Sequence, residues 1–466
     1  MSRFLISAAH KSSGKTTVAI GIAAALRARG LAVQPFKKGP DYIDPMWLSL
    51  AAGRACRNLD FHVETSDEIR ARFDRFSAGA DVSLVEGNKG LYDGMDLEGS
   101  DSNAALAKLI DTAVVLVVDT RGMTRGIAPL VMGYRTFDRQ VRFAGVILNH
   151  VGGSRHEGKL RAAVERYSDV PVLGALPRDP TVSIEERHLG LMPSNERTGT
   201  ESLVARIAEW ARHGIDLDRL LAIGGASRPA PVATASRTPV RLRLGIARDR
   251  AFGFYYPDDL EALEAAGAEL VPFDTLADAT LPDVDALFVG GGFPEMFGPE
   301  LERNAGLRRQ IRTAIESGMP AYAECGGLMY LARSLTANGT ESEMVGVIPG
   351  DVVMHSRPIG RGYARLAVNP NHPWAPAGIE VPCHEFHYSS LENTDAGLNY
   401  AYDVARGYGV DGRRDGIVRH NLLASYSHLR STERFSWAQR FVDWAVSRGT
   451  RKAGHPQAQN KLGVHP

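Results

Sequence analysis

The 466-residue chain carries 54 acidic and 54 basic residues, so its formal net charge is zero and nothing in its composition argues for a nucleic-acid partner. No apolar run approaches the ~18 residues of a membrane span, and Met1-Ser2-Arg3 ahead of a strand lacks a signal-peptide layout. Three cysteines in a chain this long point to a reducing cytoplasm, and the length itself to two domains.

Residues 3–9 read as a short buried strand and residues 16–29 as an Ala/Ile/Leu-rich helix. Between them lies Ser12-Ser13-Gly14-Lys15-Thr16-Thr17, the strand–loop–helix setting of a P-loop. Backbone N–H groups at that helix start can hold phosphate oxygens, helped by the helix dipole. Lys15 would bridge the terminal phosphates of ATP, and the Thr16 hydroxyl would bind Mg²⁺. One position departs from the usual pattern: Ala9 stands where the first glycine is expected.

A strand around residues 32–36 leads into Lys37-Lys38-Gly39-Pro40-Asp41-Tyr42-Ile43-Asp44. Two aspartates three apart beside two lysines can position Mg²⁺ and an anionic substrate; the same pattern also describes an ordinary polar turn. Val82–Val85 is an apolar strand ending in Glu86, a carboxylate where ligands of parallel sheets sit. Val114–Val118 and Ala144–Leu148 are further apolar runs, ending in Asp119 and Asn149. Five strands with helical spacers predict a doubly wound, mostly parallel α/β sheet.

Residues 224–240, rich in Pro, Ala and Ser, have linker composition. The expected layout is a first domain over 1–223, a second over 241–447 and a polar, disordered tail over 448–466. A second alternating pattern starts at Leu242, with a helix over 258–267 and a strand from Asp285 into Gly290-Gly291-Gly292. Ala323-Glu324-Cys325-Gly326-Gly327 follows a strand and precedes a helix, which predicts a sharp turn presenting a reactive thiol. The N–H groups of Gly326, Gly291 and Gly292 can stabilise an oxyanion, and His428 can serve as general base. Cys56 and Cys383 read as inert packing.

Taken together, these stretches resemble the cobyrinic acid a,c-diamide synthase family. That family joins a dethiobiotin-synthetase-like ATP domain to a class I glutamine amidotransferase domain, so a second doubly wound, mostly parallel sheet is implied. The resemblance runs from residue 2 to about 445. It rests on the P-loop, Lys37–Pro45, Asn58-Leu59-Asp60, Val85–Gly94, Gly290–Glu295, Ala323–Gly327, His384-Glu385-Phe386-His387-Tyr388 and Ala424–His428. It implies that Ser13, Gly14, Lys15, Thr16, Thr17 and Lys37 bind ATP, and that Asn149 and Pro177 recognise adenine. Thr16 and Glu86, with Asp60 or Asp41 as a weaker member, would hold Mg²⁺, and Asp41 and Asp44 would handle substrate. The implied partners are a tetrapyrrole polycarboxylate, L-glutamine and ATP, with room for a homodimer.

Two departures stand out. Asn88-Lys89 replaces a Val-Met-like pair, which keeps sirohaem or a nickel-sirohydrochlorin open as the macrocycle. The histidine turn reads His428-Leu429-Arg430-Ser431 instead of His-Leu-His-Phe, and no glutamate stands two residues after His428. Cys325 and His428 would then act as a dyad or take a carboxylate from elsewhere. A partition- or chaperone-type P-loop ATPase is the distant alternative; His10 stands where those proteins carry a second lysine, and they have no use for Cys325.

Overall fold

Short apolar runs with no polar alternation suit strands covered on both faces, and those ending in Glu86, Asp119 and Asn149 lie in such strands. A computed structural model describes residues 2–187, 190–224 and 238–449. Its first sheet has seven parallel strands in the order Arg57–Leu59, Val33–Lys38, Val82–Glu86, Ser2–Ala8, Ala113–Asp119, Phe143–Val151 and Val172–Pro177. The five expected strands are all present. Arg57–Leu59 and Val172–Pro177 were not foreseen, the first because three residues are too few to show a period. Helix Lys15–Ala28 covers one face, packing against helix Thr200–Gly214. A Cβ on Gly21 would meet that of Ala211 at 2.7 Å, so the approach requires small residues.

The second sheet has nine strands, in the order Ala268–Phe273, Leu242–Ala247, Ala286–Val289, Ala321–Glu324, Leu422–Ser425, Arg414–Arg419, Asn399–Arg406, Gly360–Val368 and Glu380–His387. The first five are parallel and the remainder antiparallel. The second half is therefore α/β with an antiparallel extension. A side sheet of four strands includes Ala332–Ala337, so the helix that follows the Cys325 turn ends at Leu331. The linker expected over 224–240 and the tail over 448–466 lie largely outside the described residues. Among the described residues, no helix is long and apolar enough to cross a membrane.

The halves meet through buried charge. Asp258 receives Arg57 at 3.1 Å and Arg72 at 2.7 Å, while Arg72 also reaches Glu64 at 2.5 Å. Arg430, from the histidine turn, is fully buried over the Tyr256 ring (4.3 Å) with Asp258 at 3.6 Å. The substituted position in that turn is thus part of the junction.

Candidate active site

Gly14 closes the P-loop in a left-handed conformation (φ +80°) and caps helix Lys15–Ala28. A Cβ there would strike the Asn149 amide at 2.3 Å. Asn149 donates to the Ser13 carbonyl at 2.9 Å, and its own Oδ1 is buried without a partner among the described residues. Ser13 in turn donates to the His10 carbonyl at 2.8 Å, and Thr17 lies half-buried in the first helical turn. Pro177 ends its strand and accepts from the Trp210 indole at 3.1 Å.

Strand ends bring the other candidates to the P-loop. The Thr16 hydroxyl donates to Glu86 Oε1 at 2.5 Å and lies 3.3 Å from Asp44 Oδ2. Lys37 Nζ reaches Asp44 at 2.5 Å, Glu86 at 3.1 Å and Asp41 at 3.9 Å. Burial works against the Lys37 ammonium, but Asp44, Glu86 and Asp41 outweigh it and raise its pKa. Burial and then Lys37 lower that of Lys15; anionic phosphate would offset both. Burial and Asp44 push the Asp41 carboxyl up to about 7 against the pull of Lys37.

Whether Mg²⁺ fits can be judged from the donors. Glu86 is fully buried, and its Oε2 has no hydrogen-bond partner among the described residues. No group of three or more His, Cys, Asp or Glu poised for a metal occurs among those residues. The orphaned Glu86 oxygen suits Mg²⁺, which takes one or two carboxylates and completes its shell with phosphate and water. Thr16 and Glu86 fit. Asp60 Oδ1 accepts from the Tyr363 hydroxyl at 2.8 Å and from the His62 N–H at 3.0 Å, while its Oδ2, like Glu86 Oε2, is buried without a hydrogen-bond partner among the described residues.

In the second half, strand Ala321–Glu324 runs straight into Cys325, whose φ of 46° and ψ of −103° form the sharp elbow the motif predicts. A non-glycine residue there is strained, and the Cys325 N–H is tied to the Ser425 carbonyl at 2.7 Å. The glycines crowd around it. A Cβ on Gly326 would meet the Gly292 carbonyl at 2.9 Å, one on Gly327 the Val289 carbonyl at 2.1 Å, and one on Gly291 the His428 ring at 2.7 Å. Nucleophile, candidate oxyanion glycines and base are brought together.

The base has a carboxylate that sequence reasoning missed. Glu324 Oε2 lies 3.4 Å from His428 Nδ1, while its Oε1 accepts from the Tyr322 hydroxyl at 2.7 Å and the Leu429 N–H at 2.9 Å. Burial alone would lower the His428 imidazole, but hydrogen bonds to Cys325 and Glu324 push it up to about 10. Buried Asp415 accepts from the Tyr426 and Ser427 N–H groups, each at 3.0 Å, which fixes the turn carrying His428. Cys56 and Cys383 are buried, free and raised in pKa by that burial, as inert packing requires.

One cavity of about 380 Å³ joins the halves. Cys325, His428, His384 and Gly292 line it on one side, and Lys38, Asp41, Tyr42, Asn88 and Lys89 on the other. Asn88 accepts from Lys38 Nζ at 3.2 Å, so the departing pair faces this space beside a buried lysine.

Residues 5–191 match the CobQ/CobB/MinD/ParA nucleotide binding domain, and residues 243–434 the CobB/CobQ-like glutamine amidotransferase domain. The chain is 48% identical to the cobyrinate a,c-diamide synthase of Magnetococcus marinus, over 96% of this chain and 98% of that one. It is 42% identical to that of Methanosarcina acetivorans, over 92% of each. With that of Archaeoglobus fulgidus it shares 41%, over 96% of this chain and 98% of the other. Agreement across both domains, at this identity and nearly end to end, shows that the chain belongs to the cobyrinate a,c-diamide synthase family of ATP-dependent, glutamine-using ligases.

Proposed function

We propose that the protein amidates the a and c side-chain carboxylates of a cobyrinate-type tetrapyrrole, using ATP and glutamine. The observation that carries this reading is a cavity lined both by the thiol and by Lys38 and residues 40–43 of the synthetase half. The relatives' shared name supports the macrocycle. The domain assignment is 1–223 for the synthetase, 224–240 for the linker and 241–447 for the amidotransferase, and three free cysteines suit a cytoplasmic location.

In the first half a carboxylate of the substrate attacks the γ-phosphate of ATP, giving an acyl phosphate and ADP. Gly14 and the neighbouring N–H groups cradle the phosphates, while Lys15 and Lys37 offset their charge. Mg²⁺, when bound by Thr16 and Glu86, supplies further neutralisation of the phosphate oxygens. Asp41 and Asp44 orient the acid beside Lys37. In the second half Cys325 attacks the glutamine amide, His428 passes a proton to the leaving ammonia, and a glutamyl thioester remains for water to cleave. N–H groups of Gly326, Gly291 and Gly292 stabilise the oxyanion. Ammonia then crosses the shared cavity and displaces phosphate from the acyl phosphate. A closed path is needed because free ammonia at neutral pH is mostly ammonium, which has no lone pair to attack with.

The amidotransferase domain disfavours a partition-type ATPase. Asn88 and Lys89 at the cavity wall keep the same chemistry on sirohaem or nickel-sirohydrochlorin as the second reading. The test incubates the protein with glutamine, Mg-ATP and cobyrinic acid, hydrogenobyrinic acid, sirohaem or nickel-sirohydrochlorin, followed by mass spectrometry. Replacement of OH by NH₂ at two carboxylates of cobyrinic acid is expected; amidation of sirohaem or nickel-sirohydrochlorin alone would install the second reading. Cys325→Ala should end glutamine use and spare ammonia-driven amidation. Equal loss of both would overturn the division of labour.

A further inference from the structure

Tyr42 belongs to the synthetase loop, between Asp41 and Asp44, yet its hydroxyl reaches the other half. It lies 3.3 Å from His428 Nδ1. Rings hold it in place: Phe254 stacks at 5.3 Å and 6°, and Tyr256 sits 4.3 Å away, measured between centroids. His428 and His384 complete the enclosure at 5.2 and 5.7 Å. The flanking carboxylates are equally tied. Asp41 Oδ1 accepts from the N–H groups of Ile43 (2.9 Å) and Asp44 (3.1 Å), and Asp44 holds Lys37. On so short a turn, the hydroxyl moves with the carboxylates.

His428 Nδ1 can carry one hydrogen, and it faces two oxygens at nearly equal, long distances: Tyr42 at 3.3 Å and Glu324 at 3.4 Å. Both exceed the usual hydrogen-bond optimum, so neither oxygen holds the nitrogen alone. A shift of the loop withdraws Tyr42 and leaves Glu324 as sole partner. Such a movement would give the base two arrangements selected by the 41–44 loop, the form a two-state coupling element takes.

We propose that Tyr42 is a positioning residue through which the filled synthetase site switches on glutamine hydrolysis: acid substrate and Mg-ATP displace the 41–44 loop, and His428 passes wholly to Glu324. This rests on the amidation reading above. Its benefit is chemical, because ammonia is then made only when an acceptor waits.

The test measures glutamate release with and without cobyrinic acid and Mg-ATP, together with amide formed, for the unaltered chain and for Tyr42→Phe, which keeps the ring stack. Sirohaem replaces cobyrinic acid if it is the acid accepted. The unaltered chain should be stimulated roughly fivefold or more, the lower range of measured site-to-site couplings. In Tyr42→Phe, release without acceptor should rise, stimulation should shrink towards none, and more glutamate should appear per amide. A purely structural lesion would scale both rates together and leave their ratio alone. Amide formation with an unchanged ratio overturns the coupling alone. No amide from any acid, in either chain, overturns the substrate reading and the coupling with it.

Discussion

Glu324, the residue immediately before the nucleophile, places Oε2 3.4 Å from Nδ1 of His428, so one short segment supplies both the thiol and the carboxylate that orients its base. Glu324→Gln keeps the shape but puts amide hydrogens where the Leu429 N–H and the imidazole already donate. Glutamine-dependent amidation should fall by ~10²-fold or more, the range of general acid–base catalysis, while ammonia-driven amidation persists. Steady-state glutamate release decides it; a loss of only a few-fold would remove Glu324 from the triad.

Gly291 has no room for a side chain, since a Cβ would sit 2.7 Å from the His428 ring. Gly291→Ala should push the imidazole away from Cys325 and slow glutamine hydrolysis at least about tenfold, the low end for a displaced catalytic group. Labelling of Cys325 by an alkylating glutamine analogue should slow in parallel. Unchanged labelling would show that the ring has space to yield.

Thr16 donates to Glu86 at 2.5 Å and stands at the P-loop helix start. Thr16→Val removes the hydroxyl that would hold Mg²⁺. Amidation should fall at least about tenfold with either glutamine or ammonia, while glutamate release without ATP continues. Equal loss of all three activities would mean that the substitution damages the whole molecule.

Asp41 has its carboxyl pushed up to about 7 by burial and by Asp44. A folded-state pKa above the unfolded value favours folding at low pH, and the advantage is lost as pH rises towards 7. Above that point the ionised Asp41 is a net cost beside Asp44. Asp41→Asn should therefore melt higher than the unaltered chain near pH 8, by a margin that solvent screening of the 35% exposed side chain keeps small. Near pH 5 the difference should shrink, because the unaltered Asp41 is then mostly neutral. Melting curves at both pH values check the sign, and the variant should lose amidation at either.

Arg430 is fully buried among Asp258, Glu64 and Asp259, with its guanidinium over Tyr256. Arg430→Met fills the volume but strands those carboxylates. Removing one partner from a buried ionic cluster costs ~3–5 kcal/mol, so the midpoint of urea unfolding should drop clearly. A neutral result would mean that Arg57 and Arg72 satisfy the acids unaided.

Chemistry that lives in contiguous residues was legible early. The P-loop turn and the Glu324-Cys325-Gly326 elbow each carry their function in local backbone geometry, and both formed where spacing put them. Glu324 itself was hidden. Strand alternation points neighbouring side chains to opposite faces, so Glu324 should have faced away from Cys325; the positive φ at Cys325 breaks that alternation, and a fold-back of the 425–429 turn brings His428 to Glu324. The antiparallel extension of the second sheet was equally obscure, because its strands are half-exposed and their burial patterns break the strict alternation.

Local residue patterns carry the two chemistries, since phosphate cradle and thiol elbow depend on φ/ψ preferences and hydrogen-bond donors within a few residues. That they share one cavity, that Tyr42 of one half touches His428 of the other, and that Arg430 belongs to their junction follow from the packed fold alone. Those contacts join residues hundreds of positions apart. Nothing local encodes them, because they arise from how two independently patterned sheets bury their remaining polar and aromatic faces against each other.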